Sequence, residues 1–156
     1  MAYTEQDWSS LSDCDSGTGL EFDWFAVDRS GYLGVFATAG QGPIAAGIWR
    51  HREAFNQLSE ACLSLPASRL FEKVLIGSGD FGDWWRFAAQ GLFAFDYRDV
   101  HRLQSKRLHG YEVIARPQDP RPATSLFPAF DIRWLPRINI DFESHSFIPD
   151  ETIQSA

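Results

Sequence analysis

Three aspartates, Asp23, Asp28 and Asp96, fall in segments that read as ordered, and two of them together could serve as a general acid and a general base. That chemistry needs surroundings different enough to leave one carboxyl protonated while the other is ionised. Asp28 has a simpler role. It opens the sequence Asp28-Arg29-Ser30-Gly31, where an aspartate can accept a backbone hydrogen bond and the glycine can take the positive φ that closes a turn. Asp23 and Asp96 are each embedded in aromatic segments, Phe22 to Phe25 and Phe93 to Tyr97, which suits structure or partner contact better than catalysis. No catalytic residue is assigned on this basis.

Other chemistries find less support. His51, His101, His109 and His145 have no cysteine or carboxylate at metal-ligand spacing, so neither a metal nor a cofactor is expected. His101 and His109 share a basic stretch with Arg98, Arg102, Lys106 and Arg107, which reads as a solvated face or an anion contact. Gly77-Ser78-Gly79 lacks both the dinucleotide and the phosphate-loop patterns, and Asp80 beside it would repel phosphate. There is no Gly-x-Ser-x-Gly elbow. Cys62 occupies the apolar side of a helical pattern and reads as a packing residue, and with Cys14 it makes neither a zinc site nor a disulfide framework.

Charge is more informative. Glu5, Asp7, Asp13, Asp15, Glu21, Asp23 and Asp28 precede the first basic residue, Arg29, so the net charge of -7 belongs entirely to the front of the chain. A local acidic surface attracts basic partners and repels polyanions, and no basic surplus elsewhere would drive nucleic-acid binding. The candidate partner-binding residues are Glu21, Asp23, Trp24 and Asp28, where acid meets aromatic. Trp84 and Trp85 come second, since adjacent positions on a helix let one ring turn inward and the other outward.

The elements that must position these residues follow from periodicity and breaks. Residues 22–27 and 32–38 form a hairpin about the Asp28 turn. Residues 49–65 carry Phe55, Leu58, Cys62 and Leu65 at helical spacing, ended by Pro66. A second helix over 81–90 has Asp80 as its N-cap and Gly91 as its C-cap. Strands fit 92–97, 111–116 and 137–142, and the prolines between the last two imply a rigid covering loop. The fold class is α+β, a single domain with a mainly antiparallel sheet and about two helices. Its expected organisation is a flexible acidic N-terminal segment over 1–19, with polar loop character from 9 to 19, then a compact domain over 20–145 and a C-terminal tail over 146–156.

At 156 residues, 44% of them hydrophobic, the chain can close one core without disulfides. No window approaches the ~20 apolar residues of a membrane span, and no basic-then-apolar leader opens the sequence, so a soluble cytoplasmic protein without membrane contact is expected.

Two blocks, Phe22-Asp23-Trp24-Phe25-Ala26-Val27-Asp28 with Gly31, and Val35-Phe36-Ala37-Thr38-Ala39-Gly40-Gln41-Gly42-Pro43, carry a resemblance. With Gly91 to Tyr97 and Tyr111 to Pro117, they make the chain similar to a family of small, poorly characterised bacterial proteins over most of residues 20–120. That family is similar in size and character to immunity proteins encoded beside secreted toxins. The resemblance implies a non-catalytic protein-binding role, neutralisation of a cognate toxin with a basic surface, and no cofactor. The alternatives are a small hydrolase or transferase using Asp and His chemistry, or a structural homo-oligomer.

Overall fold

The computed structural model describes residues 2–12, 20–77 and 79–156. Its frame is a six-stranded sheet of β1 (Asp23–Val27), β2 (Leu33–Ala37), β3 (Phe71–Lys73), β4 (Phe93–Asp96), β5 (Gly110–Pro117) and β6 (Phe147–Pro149). The strand order is β1-β2-β4-β5-β3, and β5 is long enough to pair β6 along Gly110–Glu112 as well as β3 along Ala115–Pro117. β2 and β4 run parallel, and the other pairs among the described residues are antiparallel. A parallel pair needs a long crossover. Here it carries α2 (Arg52–Ser64) and α3 (Gly82–Gln90). The fold is therefore α+β with a mainly antiparallel sheet.

Strand pairing fixes two faces. Trp24, Phe36 and Phe95 share a row and stack with ring centroids 4.6 and 4.7 Å apart. Tyr111 and Phe142 pack edge-on against these rings. Gly34 makes room for this, because a Cβ there would lie 2.8 Å from the Phe142 ring. The next row, Asp23, Ala37 and Asp96, points to the other face, since side chains alternate along a strand. That face is covered by helices: Phe55 of α2 packs on Phe25, and α3 lies against β4 and β5.

The hairpin forms as expected, with Gly31 at φ +84° in its turn. The two expected helices are also present. Gly91 ends α3 at φ +103°, whereas Asp80 is not the N-cap: Phe81 holds that position, and the Asp80 side chain instead accepts from the Gly82 N–H at 3.0 Å.

Three further expectations are corrected. Residues 5–12 form a third long helix, α1 (Glu5–Ser12), where a flexible segment was expected. Thr4 and Asp7 cap it reciprocally, the Thr4 N–H donating to Asp7 Oδ2 at 3.1 Å and the Asp7 N–H to Thr4 Oγ1 at 3.2 Å. Trp8 and Leu11 pin it to the core, and the Trp8 indole N–H donates to the Trp49 carbonyl at 2.9 Å. The polar run expected to be loop lies, from residue 13 to 19, outside the described residues. Residues 146–156 are not a tail either, because β6 and α5 (Asp150–Gln154) bury Ile148 and Ile153 completely.

Residues 137–142, expected as a strand, make a single bridge from Arg137 to Val27. Their backbone is used on the hairpin turn: the Ile138 N–H donates to the Val27 carbonyl, the Arg29 N–H to that of Ile140, and the Phe142 N–H to the Asp28 carboxylate. Buried Ile138 and Phe142 explain the apolar alternation without a strand. The proline-containing stretch before it covers the domain with one short turn, α4 (Ala123–Leu126).

Candidate functional site

The helix-side face of β2 carries Val35, Ala37 and, just beyond the strand, Ala39. Their small size leaves a cavity of about 250 Å³ between the sheet and α3. β1 and its lead-in contribute Glu21 and Asp23, β4 contributes Asp96, and His101 stands at the 98–101 turn. From α3 come Asp83 and Phe87, one helical turn apart, together with Trp84. Four carboxylates and an aromatic wall thus meet over a small apolar floor.

Asp23 and Asp96 flank Ala37 in one row, so their Cα atoms are separated by two interstrand spacings, about 10 Å. Water reaches Asp23, but the side chain stands within the concavity, with protein around most of it. Burial pushes its carboxyl up to about 6, helped by the negative charges of Asp83, Glu21 and Asp96 and opposed by Arg86. Arg86 is itself 3.6 Å from Asp83. Asp96 is only 8% exposed. Burial lifts it likewise to about 6, against the pull of Arg98 and His101 and a smaller pull from the Tyr97 backbone amide, while Glu112 adds repulsion. Such carboxylates can bind a cation, which restores their charge, or exchange protons close to neutral pH.

Of the six residues expected at a partner surface, Glu21, Asp23 and Trp84 meet in this pocket. Trp24 and Asp28 do not, and their assignment is corrected. Trp24 is fully buried, its indole N–H donating to the Tyr111 hydroxyl at 3.2 Å, and that hydroxyl donates to the Pro43 carbonyl at 2.9 Å. Asp28 is fully buried and accepts from the backbone N–H groups of Ser30, Tyr32 and Phe142, each at 2.9 Å. Trp85 is half-buried outside the pocket lining, and the Lys73 ammonium sits 3.9 Å from its ring centroid.

Asp83 and Phe87 were missed as site residues, and Asp96 was weighed for structure, partner contact and acid-base chemistry without being placed among the partner-binding residues. The one visible signal for the first two was their four-residue spacing around Trp84. For Asp96 nothing local could have served, because its meeting with Asp23 depends on a parallel pairing between distant strands.

Two of the remaining candidates are held within the fold. In the basic stretch, Arg102 is held by Glu112 at 2.6 and 2.9 Å and by Asp99 at 3.2 Å. Burial pushes the Cys62 thiol up to about 12, which keeps it from acting as a thiolate. Cys14 and Ser78 lie outside the described residues. Among the described residues no three His, Cys, Asp or Glu side chains converge as metal ligands, and no helix is long and apolar enough to cross a membrane.

No protein-family model matches the chain, and neither a curated protein nor a solved structure matches it.

Proposed function

We propose that this is a non-catalytic binding protein that neutralises a protein partner with a basic surface, in the manner of an immunity protein against a bacterial toxin. The observation that carries this reading is the clustering of Glu21, Asp23, Asp83 and Asp96 around one concavity beside Trp84. Carboxylates at an interface steer a basic partner and set its register, while a half-buried aromatic ring supplies contact area and excludes water. A specific complex buries ~1,200–2,000 Å² in total, so the pocket would be the centre of a larger contact. The acidic residues of α1, Glu5 and Asp7, are exposed and contribute to encounter at longer range.

The test is co-expression with the product of the neighbouring gene. A stable stoichiometric complex and protection of the host are expected, and absence of both ends the proposal.

A second reading, a small hydrolase or transferase, is favoured by the placement of Asp23 and Asp96 across one cleft with His101. The two readings differ in stoichiometry. A binding protein protects only when it equals its partner in amount, whereas an enzyme acting on a toxin or its product protects far below equivalence.

A further inference from the structure

Asp96 points to what the pocket holds. It is more than nine-tenths buried and lines the cavity. Among the described residues no side chain donates a hydrogen bond to it, and the charges of Arg98 and His101, with a smaller contribution from the Tyr97 backbone amide, do not offset its burial. A buried carboxylate so poorly supplied with donors is costly, and the cost is relieved when a cationic donor arrives. Asp99 shows the contrast: at 1% exposure it accepts from two backbone N–H groups and from Arg102.

The rest of the cavity narrows the donor. Val35 and Ala37 offer an apolar floor for an aliphatic stem, and Trp84 brings an aromatic ring for a flat cation, while the Phe87 ring already carries the Arg86 guanidinium 5.0 Å from its centroid. At about 250 Å³ the space is smaller than the ~300–1,000 Å³ of pockets for drug-sized ligands, which matches one side chain. Asp23 and Asp96 stand on opposite sides of Ala37. A planar guanidinium with donors on several edges can reach both, where an ammonium acts as a point charge.

We propose that the pocket receives one arginine side chain of a protein partner, with its guanidinium between Asp23 and Asp96 and its stem over Ala37 beside Trp84. This rests on the binding reading given above and names its anchor.

The experiment is an amide NMR titration of the full chain with N-acetyl-arginine amide, matched by N-acetyl-citrulline amide, which keeps the shape and lacks the charge. Arginine amide should shift the resonances of Asp23, Ala37, Trp84 and Asp96 with millimolar saturation, and citrulline amide should bind at least tenfold more weakly. Asp96→Asn and Ala37→Leu should each weaken arginine binding at least fivefold while retaining the dispersed spectrum of a folded chain. Ala37→Leu fills the floor and leaves every carboxylate in place, so diffuse attraction would survive it. Equal shifts with citrulline amide, or unchanged binding in both variants, overturns the proposal. Co-purification with the neighbouring gene product separates the two levels. If that product binds while arginine amide does not, the anchor is wrong and the binding reading stands. If arginine amide binds while no protein does, the partner reading falls and with it the assignment of the arginine to a protein.

Discussion

The fold treats two pairs of carboxylates in opposite ways. Asp28 and Asp99, at 0% and 1% exposure, are supplied with donors: three backbone N–H groups for the first, two and an arginine for the second. Asp23 and Asp96 face a cavity, and no side chain among the described residues bonds either carboxylate. The first pair closes loops. Asp28 ties the β1–β2 turn to Phe142, and Asp99 ties the 98–101 turn to the backbone before β5. The second pair closes nothing, so its placement around one cavity favours a role toward something outside the chain. A buried carboxylate thus indicates function only after its donors have been counted.

Substitutions should separate the pairs, and the largest effect belongs to Asp28. Asp28→Ala leaves three N–H groups without their acceptor, two of them anchoring the turn and one Phe142, and should cost about 3 kcal/mol or more in urea unfolding. Asp99→Ala should cost about 2 kcal/mol, because Leu108, His109 and Arg102 lose a common acceptor. Asp99 lies below the ordinary carboxylate range, where the Leu108 and His109 N–H groups and Arg102 outweigh its burial. A depressed carboxyl gives stability that is present above the unfolded value and lost as pH falls through the folded one. The Asp99 contribution should therefore vanish under strongly acid conditions.

Asp96→Asn should act in the other direction. With the folded carboxyl near 6 and the unfolded one at ~3.9, the folded state holds the extra proton between those values, so stability falls as pH rises through that window. Removing the charge should stabilise the chain at pH 7.5 by on the order of 1 kcal/mol and flatten the slope between pH 4 and 6. Asp23 shifts the same way but is open to water, so its asparagine variant should show a smaller gain. Groups facing the pair from neighbouring elements, Glu21, Asp83, Arg86, Arg98, His101 and Glu112, will modulate the midpoint. The smallest stability change should come from Glu21→Gln, at a few tenths of a kcal/mol, typical of an exposed position. In a binding titration, however, neutralising Glu21 and Asp23 should weaken the complex more than neutralising Glu5 and Asp7. Equal losses would assign the whole effect to long-range attraction.

Much of the frame was legible because it rests on local signals. The Asp28-to-Gly31 turn, the apolar spacing of α2 and the glycine after α3 each mark their element within a few residues. α1 was concealed by its polar composition, although Thr4-Glu5-Gln6-Asp7 carried the cap and Trp8 with Leu11 the buried side. The 137–142 segment misled for the opposite reason: its alternating apolar residues are buried, but its N–H groups serve the turn of another element. At the site, acidity and aromatics were visible around Asp23, yet exposure was not. Trp24, next to Asp23 in sequence, and Asp28, just past the end of the same strand, are buried in the core, while Asp83 and Asp96 arrive from α3 and β4.

The most direct measurement pairs stability with affinity in the Asp23→Asn/Asp96→Asn double variant at pH 7.5. Its unfolding midpoint should rise above that of the parent while its affinity for the neighbouring gene product falls at least a hundredfold. A double variant that is less stable, yet binds as tightly as the parent, would show that these carboxylates serve the fold and would contradict the assignment of the pocket.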